Sequence, residues 1–311
     1  MPLELNHGLQ ARRHWLTLIC IPLALQPVHR SLAGNCSPAA AGLVSWWAAD
    51  GNANDSAGTN NGTLQGGAIA NVLGMAGQAL RFDGTNGFVQ VPDSFSLDQS
   101  NVTIETWVEF DSLDSDGNSS PGDQYLIFKQ NSSTLVQIGM FEGFALSKVR
   151  GPNGDTFLFR VSDPAGQTVA LPSVTLISTS AWYHLAAVRG PDFLQLYVNG
   201  QLEGQTNVPF AQDYGEGPLY FGTTGQSSWD HKLAGLLDEI SLYDRALSSG
   251  EIGAIFAAGS SGKCKQASLV NQPQDQTAVA GSNTLFTAAA VWSCGWLTRL
   301  ACLHFPELPA A

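Results

Sequence analysis

The chain has 311 residues, with 14 Lys and Arg against 26 Asp and Glu, for a formal net charge of −12. That acidic balance argues against a nucleic-acid partner, whose phosphates would repel it. Charged residues make up only 13% of the chain beside 33 Gly and 15 Pro, which disfavours a helical bundle, while 44% hydrophobic residues suffice for a large core and exclude wholesale disorder.

The first 35 residues have the layout of a secretory signal. Arg12, Arg13 and His14 precede an apolar run from Trp15 to Leu25, and Ser31-Leu32-Ala33 offers small residues where a signal peptidase reads. The sequence Leu32-Ala33-Gly34-Asn35-Cys36 differs from a lipoprotein signal by the extra Asn35, so cleavage without lipidation is expected. No uninterrupted apolar run reaches the roughly 20 residues of a membrane helix, so the mature chain should have no span and be secreted or held at the cell surface.

Of five cysteines, Cys20 would leave with the signal, and Cys36, Cys264, Cys294 and Cys302 remain, an even number for an oxidising compartment. Spacing does not fix the pairing. Cys36 and Cys264 lie just outside the two ends of a patterned region, and a clasp between them joining the domain's termini is the expectation. No Cys-x-x-Cys or His-x-x-x-His spacing marks a zinc site.

From Gly42 to about Thr224 the dominant signal has period two, in short runs such as Ala79 to Asp83, Phe88 to Val91, Val102 to Phe110 and Thr156 to Val161. The dipeptides Asp83-Gly84, Asn86-Gly87, Asn153-Gly154 and Asn199-Gly200 punctuate them as tight turns. This is the pattern of an antiparallel all-β domain. In the third run Val102, Ile104, Val108 and Phe110 share one face, and Thr103, Glu105 and Glu109 share the other with Trp107, which is expected to be core. Trp46 and Trp47, as strand neighbours, must point to opposite faces, one to the core and one outward. Near the end, Ser248-Ser249-Gly250-Glu251 is a capping box for one short helix that would bury Ile252, Ile255 and Phe256, with Gly259 as its stop.

Several blocks in order resemble laminin-G-like, concanavalin A-type jelly rolls of bacterial surface and secreted proteins. They are Gly42 to Trp47, Gly77 to Gly84, Val102 to Val108, Trp182 to Val188 with Leu196 to Gly200, Gly235 to Ile240, and Tyr243 to Ser248. The resemblance implies a two-sheet antiparallel sandwich that recognises carbohydrate or protein outside the cell. A weaker resemblance, over Gln272 to Ala288, is to the opening strands of a bacterial immunoglobulin-like domain. The expected organisation is a signal peptide at 1–35, the jelly roll at 36–264, a truncated immunoglobulin-like start at 265–290 and an irregular tail at 291–311, as a frame-shifted gene end would produce.

Glucan-cleaving relatives of this fold carry alternating carboxylates on one strand, and a retaining glycosidase needs two carboxyl groups about 5 to 5.5 Å apart. Here Glu105, Glu109 and Asp111 share parity, but Glu105 and Glu109 would be about 13 Å apart, and Trp107 stands where that motif needs Asp. There is no Gly-x-Ser-x-Gly elbow, and His184 lies in an apolar strand as a structural imidazole. The chain is therefore expected not to be an enzyme. Calcium is the one cofactor expected: Asp50-Gly51-Asn52-Ala53-Asn54-Asp55 presents oxygen side chains in a turn, and the resemblance adds Asp83 and Asp238 to Asp50 and Asp55 as ligands. The competing role for such residues is turn geometry.

The expected function is a monomeric, non-catalytic recognition module for an extracellular glycan or protein, with Trp229, Tyr214 and His231 in Gly-rich loops as its ligand-binding residues. The alternatives are a structural spacer or adhesin segment of a longer surface protein, and a degenerate glycoside hydrolase.

Overall fold

A computed structural model describes residues 36–115, 122–130, 142–163, 165–212, 214, 217–226 and 230–264, together with three later strands. In chain order the first strands are β1 (Leu43–Trp47), β2 (Thr63–Gln65), β3 (Ile69–Leu73), β4 (Gln78–Asp83), β5 (Phe88–Val91), β6 (Val102–Phe110) and β7 (Gln124–Gln130). There follow β8 (Glu142–Gly151), β9 (Gly154–Ser162), β10 (Thr168–Pro172), β11 (Trp182–Arg189), β12 (Phe193–Val198), β13 (Gln201–Asn207), β14 (Leu219–Phe221) and β15 (Ala234–Tyr243). Helix α1 (Ser249–Ala258) comes next, then β16 (Ser268–Asn271), β17 (Thr287–Val291) and β18 (Arg299–Cys302).

The first fifteen strands form two antiparallel sheets. One has eight strands in the order β13-β12-β11-β6-β15-β4-β3, with β1 also pairing β15; the other has seven, in the order β10-β9-β8-β7-β14-β5-β2. The period-two runs place their apolar halves between the sheets. Val102, Ile104, Val108 and Phe110 of β6 enter the inter-sheet core with Leu80 and Phe82 of β4, Val89 and Val91 of β5, and Phe157 and Phe159 of β9. The hairpin between β12 and β13 turns at Asn199-Gly200, both with positive φ (50° and 74°), as a type I′ turn requires.

Strand β15 changes partner halfway. Its first half pairs β4 and its second half pairs β1, while β6 runs along its other side with a register shift between Asp238 and Ser241. Glu239 sits at that bulge with φ 54°, in the left-handed region.

The eight-stranded sheet is covered on both faces, which the strand pattern alone does not disclose. On its outer side Ala186, Val188, Tyr197 and Tyr243 form a second core with Leu247, Ile252 and Ile255 of the helical segment. The capping box forms as read: the Ser248 side chain accepts from the Glu251 amide, and Glu251 accepts from the Ser248 amide. Trp107 is buried, but on the helix side of the sheet instead of between the sheets, with its ring stacked on Phe256 of α1 at 5.7 Å. Trp46 and Trp47 do point to opposite faces. Trp47 packs edge-on against Phe221 in the inter-sheet core. Trp46 faces the other way and is also buried, with Lys263 crossing over it, Nζ 5.9 Å from the ring centroid, so neither ring is outward in the sense of exposed.

Cys36 and Cys264 are joined in a disulfide with Cα atoms 5.0 Å apart. Beside it Ser37 and Lys263 form a parallel bridge, in which the Ser37 amide donates to Gly262 O and the Cys264 amide to Ser37 O, each at 2.9 Å. Strands β16, β17 and β18 make a separate three-stranded antiparallel sheet. Strand β18 falls within the tail that was read as irregular. The signal segment 1–35 lies outside the described residues.

Candidate functional site

The seven-stranded sheet presents an aromatic outer face. Cross-strand register aligns Gln90 of β5, Tyr220 of β14, Phe128 of β7, Ala145 of β8 and Arg160 of β9 in one row. Tyr125, Phe128 and Ala145 are buried as a cluster of their own, with Tyr220 packed on it half-buried. Phe88 extends the strip, with its ring 6.2 Å from that of Tyr220. The arrangement combines large apolar ring faces with a polar border, the chemistry that suits a sugar ring or a side chain of mixed character.

The border is made by Gly222 to Gln226 and by Asp230 to Lys232. Asp230 Oδ1 accepts from the Thr224 amide at 3.1 Å and from the Thr223 hydroxyl, and Lys232 Nζ donates to Thr223 Oγ1 at 2.8 Å while pairing with Asp230. Lys232 Nζ also lies over the Phe88 ring, 4.7 Å from its centroid, a cation–π placement. Gly225 (φ 69°) is needed here, since a Cβ would sit 2.4 Å from Tyr220 Cζ. His231, one of the expected ligand residues, stacks on Tyr125 at 6.0 Å and an interplanar angle of 23°. It is buried against Tyr125, part of the packing of the strip.

Tyr214 does not join this strip. Its ring packs edge-on against Phe144 of the inter-sheet core and its hydroxyl donates to Gln99 O at 3.0 Å. Burial raises its phenol well above the ordinary range. Trp229 lies outside the described residues. Sequence reading missed Tyr125, Phe128 and Tyr220. Strand β7 reads as a continuous apolar run, and a register shift between Tyr125 and Ile127 breaks the alternation that would have revealed which residues face out.

The four aspartates expected to hold calcium do not form one site. Asp55 Oδ1 accepts from the Trp46, Ala57 and Gly58 amides and Oδ2 from the Asn60 amide. Asp83 likewise takes the amides of Thr85, Asn86 and Gly87 and the Thr85 hydroxyl. These carboxylates close turns. Asp50 and Asp238 do meet at one loop, accepting from the Gln78 and Ala76 amides respectively. Burial pushes the Asp238 carboxyl up to about 8, with the nearby charges of Glu239 and Asp50 adding to the rise against the opposing amide bonds. Among the described residues no three His, Cys, Asp or Glu side chains converge on a metal position.

The strand that glucanases use is closed off. Glu105 and Trp107 face α1, with Glu105 and His184 fully buried and His184 Nε2 3.9 Å from Glu105 Oε2.

Two antiparallel sheets, with helix α1 covering the outer side of one, define a jelly-roll sandwich of concanavalin A type. Residues 83–253, more than half of the chain, match the laminin-G-type family profile described as the concanavalin A-like lectin/glucanases superfamily, and the chain belongs to that family. A search of curated proteins finds no match. Among solved structures the chain is similar to domain 4 of AbnA, an extracellular arabinanase from Geobacillus stearothermophilus, in complex with arabinotriose (TM-score 0.52, 20% identity, 68% of this chain and 96% of that one). It is also similar to the binding domain of Paraclostridial Mosquitocidal Protein 1 (TM-score 0.53, 16% identity, 80% of this chain and 63% of that one). The receptor-binding domain of a botulinum neurotoxin C/D mosaic is a further neighbour (TM-score 0.51, 16% identity, 70% of this chain and 51% of that one). At these identities the likeness is one of fold. Among the described residues no helix is long and apolar enough to cross a membrane.

Proposed function

We propose that the protein is an exported, monomeric, non-catalytic recognition module that binds an extracellular glycan or protein through the aromatic outer face of its seven-stranded sheet. The observation that carries this reading is the contiguous strip of Phe88, Tyr220, Tyr125 and Phe128 beside the Thr223–Asp230–Lys232 border. The half-buried rings of Phe88 and Tyr220 offer a ligand apolar area at little entropic cost, Tyr125 and Phe128 are buried and hold them in place, and the border supplies donors and acceptors for orientation. Burial of Glu105 under α1 favours binding over hydrolysis. The arabinotriose held by the AbnA domain makes a glycan the first ligand class to try. A polysaccharide array with the full chain tests this: retention of at least one glycan is expected, with no turnover of soluble β-glucan.

The spacer reading draws on a different observation, the disulfide that brings the ends of the sandwich to one point. It calls for no binding at the aromatic face, so an array without any retained glycan, together with no captured protein ligand, would favour it.

A further inference from the structure

Beneath α1 the outer face of the eight-stranded sheet encloses three charged side chains: Glu105 of β6, Glu239 at the bulge of β15, and Lys263 beside the disulfide. Lys263 Nζ touches Glu105 Oε1 and lies 3.3 Å from Glu239 Oε2. Two carboxyl groups thus meet one amine in a space without access to bulk water. Lys263 is further tied to the bulge, its Nζ donating to Glu239 O at 3.4 Å and its amide to Glu239 Oε2 at 3.2 Å, but other polar atoms around the cluster lack such partners. Glu105 Oε2, Tyr243 Oη, Trp46 Nε1 and both ring nitrogens of His184 are buried without a hydrogen-bond partner. Burial pushes the Glu239 carboxyl up despite Lys263, which favours its protonated form. Glu239 is also held in the left-handed backbone region, a strained conformation that the surrounding fold imposes.

We propose that this cluster is a modification site, at which Lys263 Nζ and Glu105 Cδ condense to an isopeptide bond. Three conditions for amide formation coincide there. The amine and the carboxyl are fixed against each other, which replaces a bimolecular encounter by a positioned one. Burial opposes both charges, although their mutual attraction still holds the Glu105 carboxyl low and the Lys263 ammonium high as an ion pair, and condensation removes the cost of burying them. A third group, Glu239, stands within reach of the nitrogen to relay protons.

The step balances without any further reagent. A proton passes from the ammonium to Glu105 across their contact, leaving a neutral amine beside a neutral carboxyl. The nitrogen lone pair then forms the Nζ–Cδ bond. Glu239 takes the surplus proton from nitrogen as its own carboxyl proton goes to the departing oxygen, and the Cδ–O bond breaks with its electron pair leaving on water. Glu239 ends as it began. The product would tie the centre of β6 to the segment carrying Cys264.

The test is peptide mapping of the full folded chain after reduction, alkylation and trypsin digestion. The expected result is a branched peptide joining the Glu105 and Lys263 segments, one water lighter than the two together and uncleaved after Lys263. Two linear peptides of unmodified mass, cut after Lys263, would overturn the proposal. Glu239→Gln, checked as folded by near-UV circular dichroism, should reduce the branched fraction at least tenfold; unchanged cross-linking in that variant would overturn the relay assigned to Glu239.

Discussion

Trp107 and Phe256 lie nearly parallel, with ring centroids 5.7 Å apart and planes 26° from each other. The contact joins the centre of β6 to α1 and turns what reads as the solvent side of a strand into an interior. Trp107→Ala should cost about 3–5 kcal/mol, the range for large aromatic truncations in a packed core. Urea unfolding measures it. A loss below 1 kcal/mol would mean that α1 packs only loosely.

The Cys36–Cys264 bond closes a loop with a sequence separation of 228. On the chain-entropy account, removing it with the double Cys→Ser variant should lower stability by about 5 kcal/mol. Comparing denaturation midpoints of that variant and the wild type, both without reductant, checks this; equal midpoints would contradict it.

Asp155 accepts from Lys148 Nζ at 2.9 Å and from Arg150 Nε at 2.8 Å, and Lys148 is wholly buried. Burial alone would raise the Asp155 carboxyl, but hydrogen bonds from Arg150 and Lys148 outweigh it and hold the group below its ordinary value of 3.8. A depressed carboxylate stabilises the fold fully above its unfolded value and loses that contribution as pH falls through the lower folded value. Stability should therefore decline from about pH 4 downward in part through this group. Asp155→Asn should remove about 3 kcal/mol at neutral pH, because Lys148 is left buried without its counter-charge. It should also flatten the acid limb of a stability–pH curve. A variant with the wild-type acid limb would exclude Asp155 as a contributor.

On the aromatic face, Tyr220→Ala should weaken ligand retention by about 1–2 kcal/mol, roughly tenfold in Kd, with little change in melting temperature. Tyr214→Ala should do the reverse, lowering the melting temperature and leaving the Kd of the folded fraction unchanged. Titrating both variants with a glycan found by the array separates the two roles, and matched behaviour would place both tyrosines in one function.

The strands were legible where one face of a run meets the core. Alternation in Val102 to Phe110 identifies the four residues that enter the inter-sheet space, and the capping box at Ser248 marks the helix start. What covers the other face was not legible, because α1 and Lys263 reach it from far along the chain. Trp46, Glu105 and Trp107 were therefore read without the layer that buries them. The second role open to the acidic loop residues was legible by type only: Asp55 and Asp83 have the residue types of cation ligands, and their carboxylates accept backbone amides that close turns, which residue type alone does not disclose. His231 was singled out from its loop, yet its partner Tyr125 sits in an apolar run where a register shift hides the outward residues.

The disulfide and the Ser37–Lys263 bridge place the first and last residues of the sandwich side by side. Because the two ends are tied covalently across 5.0 Å between Cα atoms, neither can fray from the sandwich without dragging the other. Opening at the first strand and opening at the segment after α1 therefore become one event instead of two.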